Sequence, residues 1–323
     1  MPKYIGRKIN IWFWKESTRG TAVAISNWIP KTNIDFDEKF ENAVDESSIW
    51  IIVDSVEAHT VKRWSEWKIE ANLNVNSIWL PLLSLLWAVV TTPATTGAYL
   101  HTFNLLNSNS HPSLTIWMSD DVEQLKFALW MIEEMTITAN AWEIVTISMT
   151  YKAKKWETTT HTVTYWTDYT LLAKSWLFKI ADNLAWLDLA TNKCVQSFEI
   201  TIKKNLEEIF CIWSIDPTDF VNKQFTIEWS FTATYENATD YKTVGLEGSE
   251  KALRFALTDT TKIIWLSDNP GIVIDLPKVN YTEWSRSMWN DEVVSQTINF
   301  KWLYSKPDAK AIEVKLTNDT ASY

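Results

Sequence analysis

The chain has 323 residues and a formal net charge of −10, a length that permits one large β-rich domain or two smaller ones with an ample core. The acidic balance argues against a nucleic-acid-binding surface, which needs clustered Lys and Arg. The longest apolar run, residues 78–90, contains Pro81 and Ser84 and is too short for a bilayer span of about 20 residues; no apolar leader follows the charged N-terminus.

Taken in chain order, the pattern is mostly of period two, the mark of half-buried strands. Asp35–Val44 is a polar candidate strand. Residues 68–75, Lys-Ile-Glu-Ala-Asn-Leu-Asn-Val, alternate without a break. The run 78–90 then predicts a helix, with Asn76 or Ser77 as its cap and Pro81 in its first turn. Its apolar residues run nearly all round, so it is expected to be buried between a sheet and a neighbour. A hairpin is predicted over 131–151, turning at Asn140-Ala141-Trp142. Residues 154–193 are looser and richer in Thr, Lys and Asp. They mark a weak division inside what otherwise reads as one elaborated domain over 1–323. Further alternating strands are predicted at 195–202, 225–235 and 293–300, with a weaker helix or turn near 249–253. The last residues, 319–323, are expected to be mobile.

No chemistry announces itself. His59, His101, His111 and His161 have no partner at metal-ligand spacing. Cys194 and Cys211 form no CxxC and are expected to be buried as small apolar residues. Adjacent carboxylates such as Asp120-Asp121 and Glu133-Glu134 point to opposite faces of a strand, so they imply no catalytic pair. Phosphate-loop, nucleophile-elbow and zinc-protease patterns are absent from the sequence. The reading is a protein that is not an enzyme, with no cofactor and no metal.

One number is abnormal: 21 Trp against 6 Gly. Ordinary usage is about 7% Gly, and β proteins need Gly where the backbone turns through positive φ. Many tryptophans stand where glycine belongs. Trp142 sits at a hairpin turn, Trp156 and Trp176 in polar breaks expected to be exposed turns, and Trp12 and Trp14 flank Phe13 before a polar loop. Trp50, Trp67, Trp79, Trp87, Trp117, Trp130, Trp166, Trp186, Trp213, Trp229, Trp265, Trp289 and Trp302 join them on weaker local grounds. Trp28, Trp64 and Trp284 read as genuine. Exchanging those eighteen for glycine restores Gly to about 7%. The expectation is a gene that uses UGA for Gly, as some bacterial lineages do, translated with UGA as Trp.

With glycines restored, positions 11–23 read Ile-Gly-Phe-Gly-Lys-Glu-Ser-Thr-Arg-Gly-Thr-Ala-Val. That string resembles the start of tail tube proteins from long-tailed phages. The segment Gly97-Ala98-Tyr99-Leu100-His101-Thr102-Phe103, followed by His111-Pro112-Ser113-Leu114-Thr115-Ile116, is similar to the same family. So is the order of parts: alternating strand, short buried helix, this segment, hairpin. The resemblance is strongest over residues 1–155 and looser over 190–303. It implies a mainly β fold, a barrel or sandwich with a flanking helix. It further implies subunits in rings, usually of six, that stack into a tube through which DNA passes without specific binding. The implied partners are further copies of the chain and other tail proteins, with no membrane. The implied place is the virion tail, assembled in the host cytoplasm. No catalytic residue carries over. Tyr99, His101, Phe103, Asn104, Asn107 and His111 form the candidate inter-subunit loop, because the centre of 99–113 is polar and its flanks are strand-like. The reading from another class is a carbohydrate-binding β-sandwich that uses real Trp platforms.

Overall fold

The computed structural model describes residues 5–24, 28–47, 49–165, 167–236, 239–266, 268–291 and 293–322. The N-terminal half carries β1 (Asn10–Lys15), β2 (Trp28–Ile29), β3 (Asn33–Asp45), β4 (Glu57–Asn72), the helix α1 (Trp79–Leu86), β5 (Trp87–Thr95), β6 (Ala98–Leu105), β7 (Leu114–Ser119), β8 (Gln124–Asn140) and β9 (Thr146–Ala153). After these come β10 (Trp156–Thr158), β11 (Trp176–Ala181), β12 (Ser197–Lys203), β13 (Leu206–Ile209), β14 (Asp219–Asn222) and β15 (Thr226–Thr234). The short helix α2 (Val244–Leu246) precedes β16 (Lys251–Thr258), β17 (Gly271–Ser287), β18 (Ser295–Trp302) and β19 (Glu313–Asn318). Strand makes up 54% and helix 7%; strand at more than twice its usual share of about 20–25% places the chain in the mainly β class.

The long strand β8 organises the sheet. Its first half pairs with β7 and β10, and its second half with β9 and β12. The partners change around residues 129–134, where the ladders to β7 and β9 shift register and Leu129 takes φ +55°. An extra residue in a ladder bends the strand and lets it serve two sets of neighbours. From β8 the antiparallel pairing runs one way through β9 and β4 to β3. The other way it runs through β12, β15 and β18 to β17. β17 also pairs with β16 and with β19, and β19 continues through β6 to β5. Strands from before and after the loose 154–193 stretch therefore share ladders, β8 with β12 and β6 with β19.

Alternation explains these strands. In β12, Phe198, Ile200 and Ile202 are buried while their neighbours face outward, and β15 repeats the pattern with Ile227, Trp229, Phe231 and Ala233. The strands predicted at 35–44, 68–75, 195–202, 225–235 and 293–300 and the hairpin over 131–151 all form. At Gly271 the backbone runs against β16 so closely that an added Cβ would lie 2.6 Å from the Leu257 carbonyl, an approach open only to glycine.

The helix departs from expectation in length and capping. α1 ends at Leu86, not at residue 90, because Trp87 takes φ +69° and the β-branched residues beyond it pair with β6. Neither Asn76 nor Ser77 caps it by its own side chain. Asp168, from a distant segment, accepts from the backbone N–H of Asn76 at 2.7 Å and of Ser77 at 2.9 Å. All eight residues of α1 are buried, as predicted, against β1, β5, β6 and β8. The helix or turn expected at 249–253 falls largely in β16, while the short helical turns lie earlier, over 239–246. Cys194 is exposed and Cys211 half-exposed, so neither is a buried apolar filler. Trp142 is a solvent-exposed turn residue as expected, but Trp156 lies in β10, and Trp176 opens β11 half-buried with its ring against Phe198 and Phe255.

Candidate assembly surfaces

Three local constructions matter for function. The first is a rigid anchor at the start of the chain. Glu16 follows β1 and is buried, and its carboxylate gathers donors from three separate elements. Its Oε2 accepts from Gly20 N at 2.6 Å and from Ser113 Oγ. Its Oε1 accepts from Leu129 N at 2.9 Å and Thr115 Oγ1 at 3.1 Å. Burial pushes this carboxyl above the usual glutamate range, outweighing the four donors that favour its charged form. The arrangement holds the loop after β1 to β7 and to the bend of β8.

The second is the polar segment that joins β6 to β7. Tyr99, His101, Phe103 and Asn104 lie on β6, laddered between β5 and β19, with His101 and Phe103 fully buried. Asn107 is exposed in the loop itself. His111 is buried, and its Nε2 donates to Leu106 O at 3.0 Å. His101 instead bonds Thr91 through Nδ1 at 2.8 Å and contacts Asn318 Oδ1 through Nε2 at 2.9 Å. The two histidines that bracket the loop therefore have different partners. Burial and the nearby Lys204 ammonium push His111 down to about 4, so it is neutral at pH 7. Lys204 is itself buried, donating to the α1 carbonyl of Ser84 at 2.7 Å. Burial, helped by the Arg19 charge, holds it well below the usual lysine range. The loop is thus tied at both ends, with residues 107–110 left exposed.

The third is an arm. β3 and β4 pair over their whole length, but β9 joins β4 only from Ser65 to Asn72. Residues 57–64 of β4 and their partners on β3 therefore extend as a two-stranded ribbon about 26 Å long at 3.3 Å per residue. The ribbon is tethered back near its base: Arg63 Nε donates to Asp216 Oδ1 at 2.6 Å, Arg63 N to Ile215 O at 2.8 Å, and the Lys62 ammonium lies over the Phe210 ring. Charged residues line the ribbon, but its tip is apolar. Ile49, Trp50, Ile51, Ile52 and Val53 are all exposed, Trp50 and Ile52 almost completely. A cleft of about 540 Å³ opens at the base, lined by Phe40, Arg63, Trp64, Lys155 and Trp156 among others.

This tip was not singled out from the sequence. The signal was present as five consecutive apolar residues between a polar strand and an alternating one, too short for a helix and with no polar alternation. The Glu16 anchor had no sequence signal, since three of its four donors, on Ser113, Thr115 and Leu129, lie roughly a hundred residues away.

Among the described residues no cluster of three or more His, Cys, Asp or Glu side chains is placed to hold a metal, and no helix is long and apolar enough to cross a membrane. Among the described residues the surface carries an arm with an apolar tip and a polar loop pinned at both ends, features that leave strand edge and apolar surface open. The family model described as phage tail tube protein matches residues 59–282, and the chain belongs to that family. It is a structural component of the virion tail. No curated protein matches the chain.

Proposed function

We propose that the chain is the repeating subunit of the tail tube, forming rings, six subunits to a ring, that stack into the conduit for the genome. The observation that carries this reading is the β3–β4 arm. A two-stranded ribbon with no third strand is marginal in water, and a tip that exposes Ile49, Ile51, Ile52 and Val53, whatever stands at position 50, marks a protein-binding site. A neighbouring copy supplies both missing partners. The apolar tip of one subunit meets the cleft beside Phe40 and Trp64 of the next, a head-to-tail contact that closes rings or propagates stacks. Sheets joined across subunits complete a continuous barrel. The exposed centre of the 104–110 loop is the second contact, with Tyr99, His101, Phe103, Asn104, Asn107 and His111 shaping its support. The net negative charge supports a bore that DNA traverses without sticking, with assembly in the host cytoplasm and capping by other tail proteins.

Electron microscopy of the purified protein at rising concentration tests the reading, using both the Trp-bearing chain and a chain with glycine at the eighteen suspect positions. Rings or open-ended tubes are expected. A monomer at every concentration in both versions would contradict it. Deleting the exposed residues Asn107 to Ser110, which leaves β6 and the His111–Leu106 bond in place, is expected to give a folded subunit that no longer stacks.

One feature favours a second reading. A cleft of about 450 Å³ is lined by Trp142, Trp176, Asn192 and Gln196, aromatic faces and amides of the kind that bind sugars. Both indoles stand at suspect positions, so glycine there removes the platform. Retention on a glycan array by the Trp-bearing chain alone would mark the cleft as a product of decoding.

A further inference from the structure

The backbone carries information about the tryptophans that composition alone does not. Seven non-glycine residues among those described adopt positive φ, and three are tryptophans: Trp50 at 70°, Trp87 at 69° and Trp142 at 72°. Tryptophan supplies 21 of 323 residues, far too few for that share to be chance. The left-handed region brings Cβ against the carbonyl, and bulky side chains avoid it.

Each of the three sits in a setting that calls for glycine. Trp87 closes α1, its backbone N–H donating to Leu83 O; a left-handed residue at this point is the usual glycine stop of a helix. Trp142 is the third residue of a turn closed by Glu143 N to Asn140 O at 3.2 Å, a position where positive φ selects glycine. Trp50 occupies the tip of the arm, its side chain wholly in solvent.

The buried indoles add an independent observation. The indole N–H groups of Trp12, Trp28, Trp67, Trp117, Trp130, Trp176 and Trp229 are buried without an acceptor, although buried tryptophans ordinarily find one; of these, Trp28 shares its pocket with the rings of Trp12 and Trp117. Their rings are also crowded. Trp130 lies 3.4 Å from the Tyr151 ring centre, and Trp176 and Trp229 lie 3.7 Å from Phe198 and Phe255, inside the usual 4.5–7 Å spacing. Glycine at 130, 176 and 229 would leave strand floors covered by those aromatic rings. By contrast, two of the three tryptophans with local sequence support are satisfied: Trp64 donates to Glu66 Oε1 at 2.9 Å and Trp284 to Gln296 Oε1 at 3.0 Å. Trp302 also donates, to Ala311 O, and joins the genuine group. Trp28 lies against Trp12 and near Trp117; glycine at 12 and 117 leaves one indole filling the space that three now share.

We infer that this gene is decoded with UGA as glycine, and that Trp50, Trp87 and Trp142, with the buried acceptorless indoles at 12, 67, 117, 130, 176 and 229, are glycines in the functional subunit. The partner implied is a glycyl-tRNA that reads UGA. In a cell that reads UGA as stop, translation ends before position 12. In one that reads it as Trp, the strained chain is made instead. The inference is independent of how subunits assemble.

The test is the nucleotide sequence at these nine positions, together with tandem mass spectrometry of peptides from virions. UGA codons and peptides lighter at each position by the difference between an indolylmethyl group and a hydrogen are expected. UGG codons, or peptides carrying Trp whatever the codon, overturn it. As a second readout, the combined Trp50→Gly, Trp87→Gly and Trp142→Gly chain should unfold at a higher temperature than the Trp-bearing chain. An unchanged or lower midpoint would contradict the geometric argument.

Discussion

The Glu16 anchor and the β3–β4 arm are built on opposite principles. At the anchor a single carboxylate is buried and meets four donors from three elements, so local geometry is over-determined within one chain. Along the arm, two strands pair with each other and are held to the rest of the chain mainly at Arg63, and the tip leaves its largest apolar side chains in water. Under the proposed assembly, the comparison separates what folds a subunit from what joins subunits: cutting the first kind of region is expected to cost stability, and cutting the second to cost association.

The largest expected effect falls on the anchor. Glu16→Ala strips the acceptor from the buried Leu129 N–H, the part-buried Gly20 N–H and two hydroxyls, and should cost about 3 kcal/mol, read as a lower urea midpoint with unchanged slope. A loss below about 1 kcal/mol would mean that water replaces the carboxylate and the anchor is not rigid. Next in size is Trp87→Gly. Relief of one left-handed residue should stabilise by about 1 kcal/mol, measured by thermal unfolding. The arm tether follows. Arg63→Ala should cost less than about 1 kcal/mol, because the Arg63–Asp216 pair is partly exposed and screened. Smallest for stability, and most telling, is replacement of Ile49, Ile51, Ile52 and Val53 by serine. The unfolding midpoint should stay within about 0.5 kcal/mol, while rings and tubes disappear from sedimentation profiles.

Acid should drive the two regions in opposite directions. Burial raises Glu16 above its unfolded value, so its term favours the folded state fully below the ordinary glutamate pKa of about 4.3 and fades as pH rises through the folded value. At Asp216 burial alone would raise the pKa, but the Arg63 and Lys155 charges outweigh it and the net shift is downward. Its stabilisation is present above the ordinary aspartate pKa of about 3.9 and is lost as pH falls through the depressed value. Acidification should therefore loosen the arm tether while easing the anchor, visible as increased protease access near Arg63 before global unfolding.

Strand positions were legible because burial on one face writes a period of two into the chain, as in β12 and β15. The buried helix was legible from its apolar run, but not its end, since Trp87 hid the glycine-like stop. Its cap was hidden for a different reason: Asp168 is supplied from more than ninety residues away. The arm was half-legible: β3 was read as a polar strand, but residues 57–64 of β4 carry no alternation, and the length of the arm follows only from where β9 stops, at Ser65. The segment 99–113 reads in sequence as a polar centre with strand-like flanks, and the partners of those flanks, β19 on one side and, for His111 on the other, the Leu106 carbonyl, come only from the fold.

Hydrogen exchange across a concentration series tests the central claim, that the arm is completed by another copy of the chain. In the dilute subunit the amides of α1 and β8 should be protected while those of residues 40–62 exchange freely, and arm protection should rise in step with tube formation. Full arm protection in the monomer, or tubes that form while the arm still exchanges freely, would contradict it.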